Sequence, residues 1–310
     1  MKLKGILPAL VTPFNEAGAV DHDQLANILE YQLKAGVSGF VPLGSTGEYY
    51  ALTNEERRQV LKTVKTVVGD RGTLIAGANG SCTREVLEQV KQTVDAGYNN
   101  LLIAPPYYAL PSQEELIGHY QAILDEFSDI NLVLYNYPVR TNVEVGFSVL
   151  DAFKDHARVV GIKESSGSVL RAVEIGHTYK DHYQLSCGSD DVAFDFFIWG
   201  ASSWICGPAN CFPDQICDFY RKFSSGDLSG AQDVMRSLFP VMASMEEGKF
   251  IQKVKYGCEL AGFKPGNARM PLQPLTAKEK ADFRLNFIAL HASLCWAVLY
   301  GRLSNRPAVL

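Results

Sequence analysis

Several signatures are missing from this 310-residue sequence. It has no two cysteines in CxxC spacing, no HxH or HExxH, and no GxGxxG. The first three absences weigh against a zinc or histidine-based centre, and the last against an open dinucleotide-binding sheet. No run of about 18 apolar residues occurs, so no membrane-spanning helix is expected. There is no basic tract and no acidic tail, and the net charge of −5 comes from interspersed signs. Nucleic acid is therefore not an expected partner. The opening MKLKGILPALVTPF is too short and too interrupted by Pro8 and Pro13 to be a secretory leader, and no small-residue cleavage site follows. Seven cysteines form an odd set, several in apolar surroundings. Reduced core cysteines in a cytoplasmic protein are the expectation.

A 47% hydrophobic content is ample for a large core. Short apolar runs alternate with helical stretches through the first two thirds. The runs are 6–11, 39–43, 73–76, 100–104, 131–135, 159–163, 184–187 and 203–206. Asp21–Gln24, Thr53–Glu56 and Ser112–Glu115 read as capping boxes that start helices. In KAGVSGFVPLG, DAGYNNLLIAP and WGASSWICGP a glycine closes a helix just before an apolar strand. Eight strands alternating with helices predict parallel pairing and a (β/α)8 TIM barrel, the rival being an open doubly wound sheet. The barrel should occupy 1–226. Residues 227–310 should form a C-terminal helical extension, with helices near 227–247, 249–261 and 276–300. The last opens with a capping box, Thr276–Glu279, and carries a broad apolar surface: Phe283, Leu285, Phe287, Ile288, Leu290, Leu294, Trp296 and Leu299.

Barrel enzymes place their chemistry at the C-terminal ends of the strands. Histidine fails that test: His22, His119, His177 and His291 fall in helices, and His156 and His182 precede strands. Asp190 and Asp191, after the seventh strand, read as a helix cap more readily than as metal ligands, and no metal site is expected. Lysine passes. VVGIKESSG ends an apolar strand in Lys163. Desolvation favours the neutral form of an amine, and a neutral amine attacks carbonyl carbons. The structural alternative is a lysine that snorkels to the rim or pairs with Glu164. Tyr135 ends the preceding strand in LVLYNYP. Neighbouring strands lie about 4.8 Å apart, so a phenol there could shuttle protons for an imine, or be ordinary core. Arg140, in the following loop, could hold a carboxylate or be a surface charge. GSTGE, spanning Gly44, Ser45, Thr46, Gly47 and Glu48, can fold as an anion-binding nest with two added hydroxyls. APPYYALPSQ offers Tyr107 and Tyr108 on a proline-bracketed loop, as a lid or subunit contact.

Taken in order and spacing, GSTGE, PPYY with PSQEE, YNYPVRT, GIKESSGS and CGSDD make the chain resemble the dihydrodipicolinate synthase / N-acetylneuraminate lyase family of pyruvate-dependent class I aldolases. The resemblance covers nearly the whole chain and is closer to the synthase branch. It implies a TIM barrel with a helical C-terminal part, in a homotetramer built as a dimer of dimers. It implies a covalent imine between Lys163 and a keto acid, with no cofactor. Tyr135 matches the proton-shuttling tyrosine, and Ser45 with Thr46 the carboxylate-binding hydroxyls. Tyr108 matches a tyrosine that reaches into the neighbouring subunit's site, completing a relay with Tyr135 and Ser45. Ile205 matches a position whose backbone lies near the imine, and Arg140 the arginine that binds the aldehyde's carboxylate.

Three departures from the synthase pattern stand out: Tyr49-Tyr50 after GSTGE, CGPAN before Asn210, and GKFIQKVK in place of an Asn-Pro. The tyrosines should crowd the pocket where lysine binds as a feedback effector in the family, at the dimer interface. The leading expectation is a class I lyase like 4-hydroxy-tetrahydrodipicolinate synthase, joining pyruvate to an aldehyde such as aspartate semialdehyde. The alternatives are a 2-keto-3-deoxy sugar acid aldolase or dehydratase, a hydroxy-pyrroline carboxylate deaminase, and, remotely, a non-catalytic pyruvate-binding barrel.

Overall fold

Helix starts follow the capping sequences. Thr53 and Ser112 each accept a hydrogen bond from the backbone three residues on, and Glu56 and Glu115 reach back to complete the box. Asp21 caps by accepting from the Gln24 N–H, and Thr276 and Glu279 cap each other. Each cap satisfies a donor that the helix itself leaves orphaned. Gly36, Gly97 and Gly200 all take positive φ where their helices stop, as the repeated glycine pattern requires. The computed structural model describes residues 1–301, with side chains through Leu290.

The strands are β1 (Gly5–Pro8), β2 (Gly39–Phe40), β3 (Thr73–Leu74), β4 (Ala76–Gly77), β5 (Asn100–Ile103), β6 (Asn131–Asn136), β7 (Val159–Glu164), β8 (Gln184–Cys187) and β9 (Ser203–Cys206). The helices that follow them around the barrel are α1 (His22–Ala35), α2 (Asn54–Val68), α3 (Thr83–Asp95), α4 (Gln113–Glu126), the short α5 (Pro138–Thr141), α6 (Phe147–Phe153), α7 (Val169–Thr178), α8 (Ala193–Ile198) and α9 (Pro213–Ser224). Beyond them lie α10 (Leu228–Glu246), α11 (Phe250–Leu260) and α12 (Ala277–Gly301).

All strand pairs are parallel, in the order β1-β9-β8-β7-β6-β5-β4, with β2 pairing β3. The ring closes because Ser38 and Val41 donate to Ile6 and Pro8 carbonyls, and Ala9 bridges Val41. The expected third strand, 73–76, is broken into β3 and β4. Leu43 turns into the left-handed region, and its carbonyl comes so close to Gly77 that a Cβ there would lie 2.1 Å away. Only glycine tolerates such an approach. Counting β3 and β4 as one stave, the architecture is a (β/α)8 barrel.

Alternation along the strands divides the core in two. Leu3, Leu7, Val41, Ile75, Leu102 and Val133 belong to the cluster that fills the barrel. Their neighbours, among them Ile6, Phe40, Leu101, Ile103, Leu132 and Leu134, face the helices. Leu3 plugs the N-terminal end, beside Gly161, where a Cβ would collide with it.

The helical part beyond the barrel packs α10 on α9 and α12, and α11 on α12. Phe283, Phe287 and Leu290 are buried there, while Leu285 and Ile288 are exposed. Leu294, Trp296 and Leu299 lie outside the described side chains. No helix among the described residues is long and apolar enough to cross a membrane. The five cysteines Cys187, Cys206, Cys211, Cys217 and Cys258 are buried and free, and Cys82 is exposed and free.

One ion pair ties the loop before α12 back to the barrel. Arg269 grips the Glu56 carboxylate through both terminal nitrogens, and also donates to the Ala51 and Gly18 carbonyls. Chiefly through that hydrogen bond, the Glu56 carboxyl is held down to about 2 from an ordinary 4.5. A depressed carboxyl stabilises the fold fully above its unfolded value, and this contribution fades as pH falls from about 4.5 toward about 2. Glu56→Gln should therefore lose about 2 kcal/mol at neutral pH, after allowance for solvent screening. Urea unfolding at stepped pH checks this: the gap between variant and parent should close near the acid end of that window.

Candidate active site

Tyr135 and Lys163 are register partners on β6 and β7. Both are nearly buried at the C-terminal rim, and the Lys163 Nζ lies 4.3 Å from the centroid of the Tyr135 ring. Among the described residues no carboxylate stands within ion-pair distance of that amine. Glu164, its neighbour in sequence, points to the other side of the strand. It accepts hydrogen bonds from Asn136 Nδ2, Ser166 N and Arg171 Nε, the last at 2.6 Å. The alternative in which Lys163 pairs with Glu164 is thus ruled out by alternation. Arg171 in turn holds Glu144 and the Val145 carbonyl, which braces β7 from behind.

Gly188 makes room for the lysine stem. A Cβ built there would lie 2.7 Å from Lys163 Cε and 1.9 Å from Ser165 Oγ. Ser165 was not foreseen as a site residue. It is buried one step beyond Lys163 on the same face of the strand, and its hydroxyl has no partner. Its only sequence signal was alternation from Lys163. A Gly188→Ala variant should displace both side chains. A misplacement on the order of 1 Å costs about a hundredfold in rate, so borohydride trapping of a keto acid on Lys163 should slow by that factor while the circular dichroism stays unchanged.

Asp190 proves to be no helix cap. It is buried and accepts a 2.9 Å hydrogen bond from the Trp204 indole. Burial, reinforced by the nearby Glu246, pushes its carboxyl well above the usual range. No cluster of three potential metal-ligating side chains occurs among the described residues.

The GSTGE loop turns tightly after β2. Gly47 N donates to Gly44 O, and Glu48 N donates to Ser45 O. Those two N–H groups close the turn, so Gly47 and Glu48 cannot supply the anion nest expected of them. The Glu48 side chain does not face the cavity either. It is fully buried, 2.7 Å from Lys255 Nζ, and it accepts from Arg269 N at 2.8 Å. Glu48 itself sits in the left-handed region, a conformation costly to a non-glycine residue unless its surroundings hold it. Of the loop, Ser45 lines the cavity, and Thr46 is buried beside it. Gly44 meets no atom where a Cβ would stand.

A cavity of about 400 Å³ opens above this floor. Its walls include Tyr49, Tyr50, Tyr107, Tyr135, Tyr137 and Arg140. Ile251, from α11, and Pro271 with Leu272, from the following loop, close the other side. The Arg140 guanidinium stands on α5, 5.9 Å from the Tyr137 ring centroid. Burial pushes the Tyr50 and Tyr137 phenols up to about 12, so both remain neutral donors. Tyr108 is 87% exposed and lines no part of this cavity within one protomer. Ile205 is buried on β9 in the same interior cluster as Tyr135.

The departures acquire places. Tyr49 and Tyr50 form part of the cavity wall within one protomer. Asn210 of CGPAN clamps β1, β9 and α1 together, donating to the Ala9 and Gly207 carbonyls and accepting from Val11 N and Gln32 Nε2. His119 is a structural histidine, bonded to Thr83, and burial lowers its ring to about 4.

A barrel that holds a buried, unpaired lysine against a tyrosine at its C-terminal rim is of the class I aldolase type. Comparison with known proteins narrows that class. The family model of the dihydrodipicolinate synthetase family matches residues 2–288. The chain belongs to that family, whose members are lyases. The 4-hydroxy-tetrahydrodipicolinate synthase of Bartonella bacilliformis is 33% identical over 292 residues, covering 93% of this chain and 99% of the relative. The solved structure of the same-named enzyme from Methylacidiphilum fumariolicum superposes with a TM-score of 0.90 at 27% identity, covering 95% of this chain and 98% of its own. A prophage protein of the family from E. coli K12, solved in complex with pyruvate, superposes with a TM-score of 0.87 at 26% identity, covering 93% and 98%.

Proposed function

We propose that Lys163 forms an imine with pyruvate and that the derived enamine adds to an aldehyde, the kind of condensation for which the relatives are named 4-hydroxy-tetrahydrodipicolinate synthase. The observation that carries this is the buried Lys163 amine lodged against Tyr135 at the catalytic end of the barrel. The amine attacks the keto carbon, water leaves, and a proton is lost from the methyl carbon. Tyr135 moves that proton, with Ser45 and the partner protomer's copy of Tyr108 as relay. Ser45 and Thr46 hold the pyruvate carboxylate, and the Ile205 backbone borders the imine. Arg140 holds the carboxylate of the aldehyde. No cofactor takes part, since the imine itself is the electron sink.

In this reading the enzyme is cytoplasmic and works as a homotetramer, a dimer of dimers. The six free cysteines among the described residues support the first, and the exposed Tyr107, Tyr108 and Leu110 beside the cavity support the second.

Arg140→Ala tests the assignment of the aldehyde end. A charge-assisted hydrogen bond is worth about 1.5–3 kcal/mol, so KM for a carboxylate-bearing aldehyde should rise roughly ten- to a hundredfold. The rate of imine formation with pyruvate should not change. If steady-state kinetics find the aldehyde KM unaltered, Arg140 does not hold it.

A further inference from the structure

Glu246 is the last residue of α10, and it brings a carboxylate from the helical part to the rim of the barrel. Its Oε1 accepts from the Asp190 N–H at 3.4 Å, which sets it over the end of β8, the strand beside Lys163. From there it acts electrostatically on Lys163, Arg140 and the Tyr137 phenol, and Arg140 hydrogen-bonds that same phenol. Its outer side is open to solvent. Among the described residues neither Glu246 nor Arg140 forms an ion pair, with the other or with any third side chain, and no protein donor reaches Glu246 Oε2. Two opposite charges thus flank Tyr137 and leave each other unneutralised. The helix gives Glu246 no reason to be there. An acid at a helix C-terminus opposes the dipole, and no basic residue offsets it in that last turn.

Asp190, behind Glu246, is buried against the Trp204 indole, and burial together with Glu246 pushes its carboxyl well above the usual range. Two carboxyls this close do not both ionise readily, so the negative charge of the pair rests on Glu246. Packing raises the Glu246 carboxyl and Asp191 adds to that, while the Asp190 N–H, Lys163 and Arg140 oppose them. The substrates of the proposed reaction change this balance. A cationic imine on Lys163 offsets the carboxylate of pyruvate, and Arg140 offsets the carboxylate of the acceptor. Glu246 then remains unbalanced in a recess, where a lone charge is costly. An acceptor that also brings a cation removes the imbalance, and the aromatic face of Tyr137 suits a cation as well.

The geometry points to Glu246 as a specificity-determining residue of the acceptor site, receiving an ammonium that the aldehyde carries beside the carboxylate held by Arg140. The inference rests on the imine reading above and concerns only the second substrate.

Aspartate and succinic semialdehydes, each with pyruvate, test it. They differ only by the amino group, and both meet the same imine, so any influence of Glu246 on Lys163 cancels from their ratio. The parent protein should prefer aspartate semialdehyde by about tenfold or more in kcat/KM, the scale of one charge-assisted hydrogen bond. Glu246→Gln keeps the size of the side chain and an acceptor for the Asp190 N–H. It should erase that preference to within about twofold, chiefly by raising KM for aspartate semialdehyde. A purely structural residue, or one acting through Lys163, would lower both aldehydes in the same proportion. That outcome, or a parent protein with no preference for the amino group, would overturn the inference. Borohydride trapping with pyruvate alone separates the two failures. A Lys163 adduct combined with either of those results sinks only this inference. No adduct in the parent protein sinks the imine reading and this inference with it.

Discussion

Lys163→Met leaves the barrel folded and lowers turnover by roughly four orders of magnitude or more, the scale of losing a catalytic nucleophile. Both halves of that expectation follow from the surroundings of the side chain. The Lys163 stem is packed in a slot kept open by Gly188, and its amine rests on the Tyr135 ring rather than on a carboxylate. Methionine is unbranched and of similar length, so it fills the slot. What the fold loses is one cation–π contact, worth about 0.5–2 kcal/mol, while the desolvation cost of the ammonium disappears as well. The net change in unfolding free energy should stay within about 1 kcal/mol. Denaturant melts alongside turnover with pyruvate and an aldehyde check both. A large loss of stability would mean that the lysine is a structural group, and retained turnover would mean that the chemistry lies elsewhere.

Lys255→Met has the opposite profile and the larger structural effect. Lys255 and Glu48 are both buried, 2.7 Å apart, and the amine also donates to the Asn267 carbonyl and lies 4.0 Å from the Phe14 ring centroid. Burial pulls the Lys255 ammonium down and Glu48 opposes it. Removing one partner strands the other charge in the interior, at a cost of about 3–5 kcal/mol. That corresponds to a fall in melting temperature on the order of 5–10 °C for a chain of this size. The pair also anchors the GSTGE turn to α11, with Glu48 held in the left-handed region. Its loss should loosen Ser45 and Thr46 and raise KM for pyruvate. The double variant Glu48→Gln/Lys255→Met removes both charges and should recover most of the stability, since a buried pair is weak evidence of net stabilisation. If the double variant is no more stable than the single, the cost lies in packing and not in a stranded charge.

The barrel was legible because it is written in local signals. Capping boxes, glycine stops and apolar runs recur at short range, and each has a physical meaning that holds wherever it appears. Lys163 was legible for the same reason: a charge at the end of a buried strand breaks a pattern. Its pairing with Tyr135 followed from parallel register once the barrel was accepted. Other features depend on residues distant in sequence, for which no local pattern exists. Glu48 looked like a member of an anion nest, and only the fold brings Lys255 against it. Asp190 looked like a cap until Trp204, on the next strand, claimed its carboxylate. The break between β3 and β4 arises from the approach of Leu43 to Gly77, across two staves. Tyr49 and Tyr50 were visible as a departure, but their place in the cavity wall depends on α11 and the loop after it closing the far side. Ser165 was overlooked because its one signal, alternation from Lys163, says little for a serine in a polar run until its burial is known.

In the proposed reaction Lys163 carries the substrate as an imine. Incubation of the protein with pyruvate and borohydride, followed by proteolysis and mass spectrometry, tests it directly. The expected result is a reduced pyruvyl adduct on the peptide containing Lys163, absent from Lys163→Met. An unmodified Lys163 after that treatment, or an adduct on another lysine with turnover intact, would contradict it.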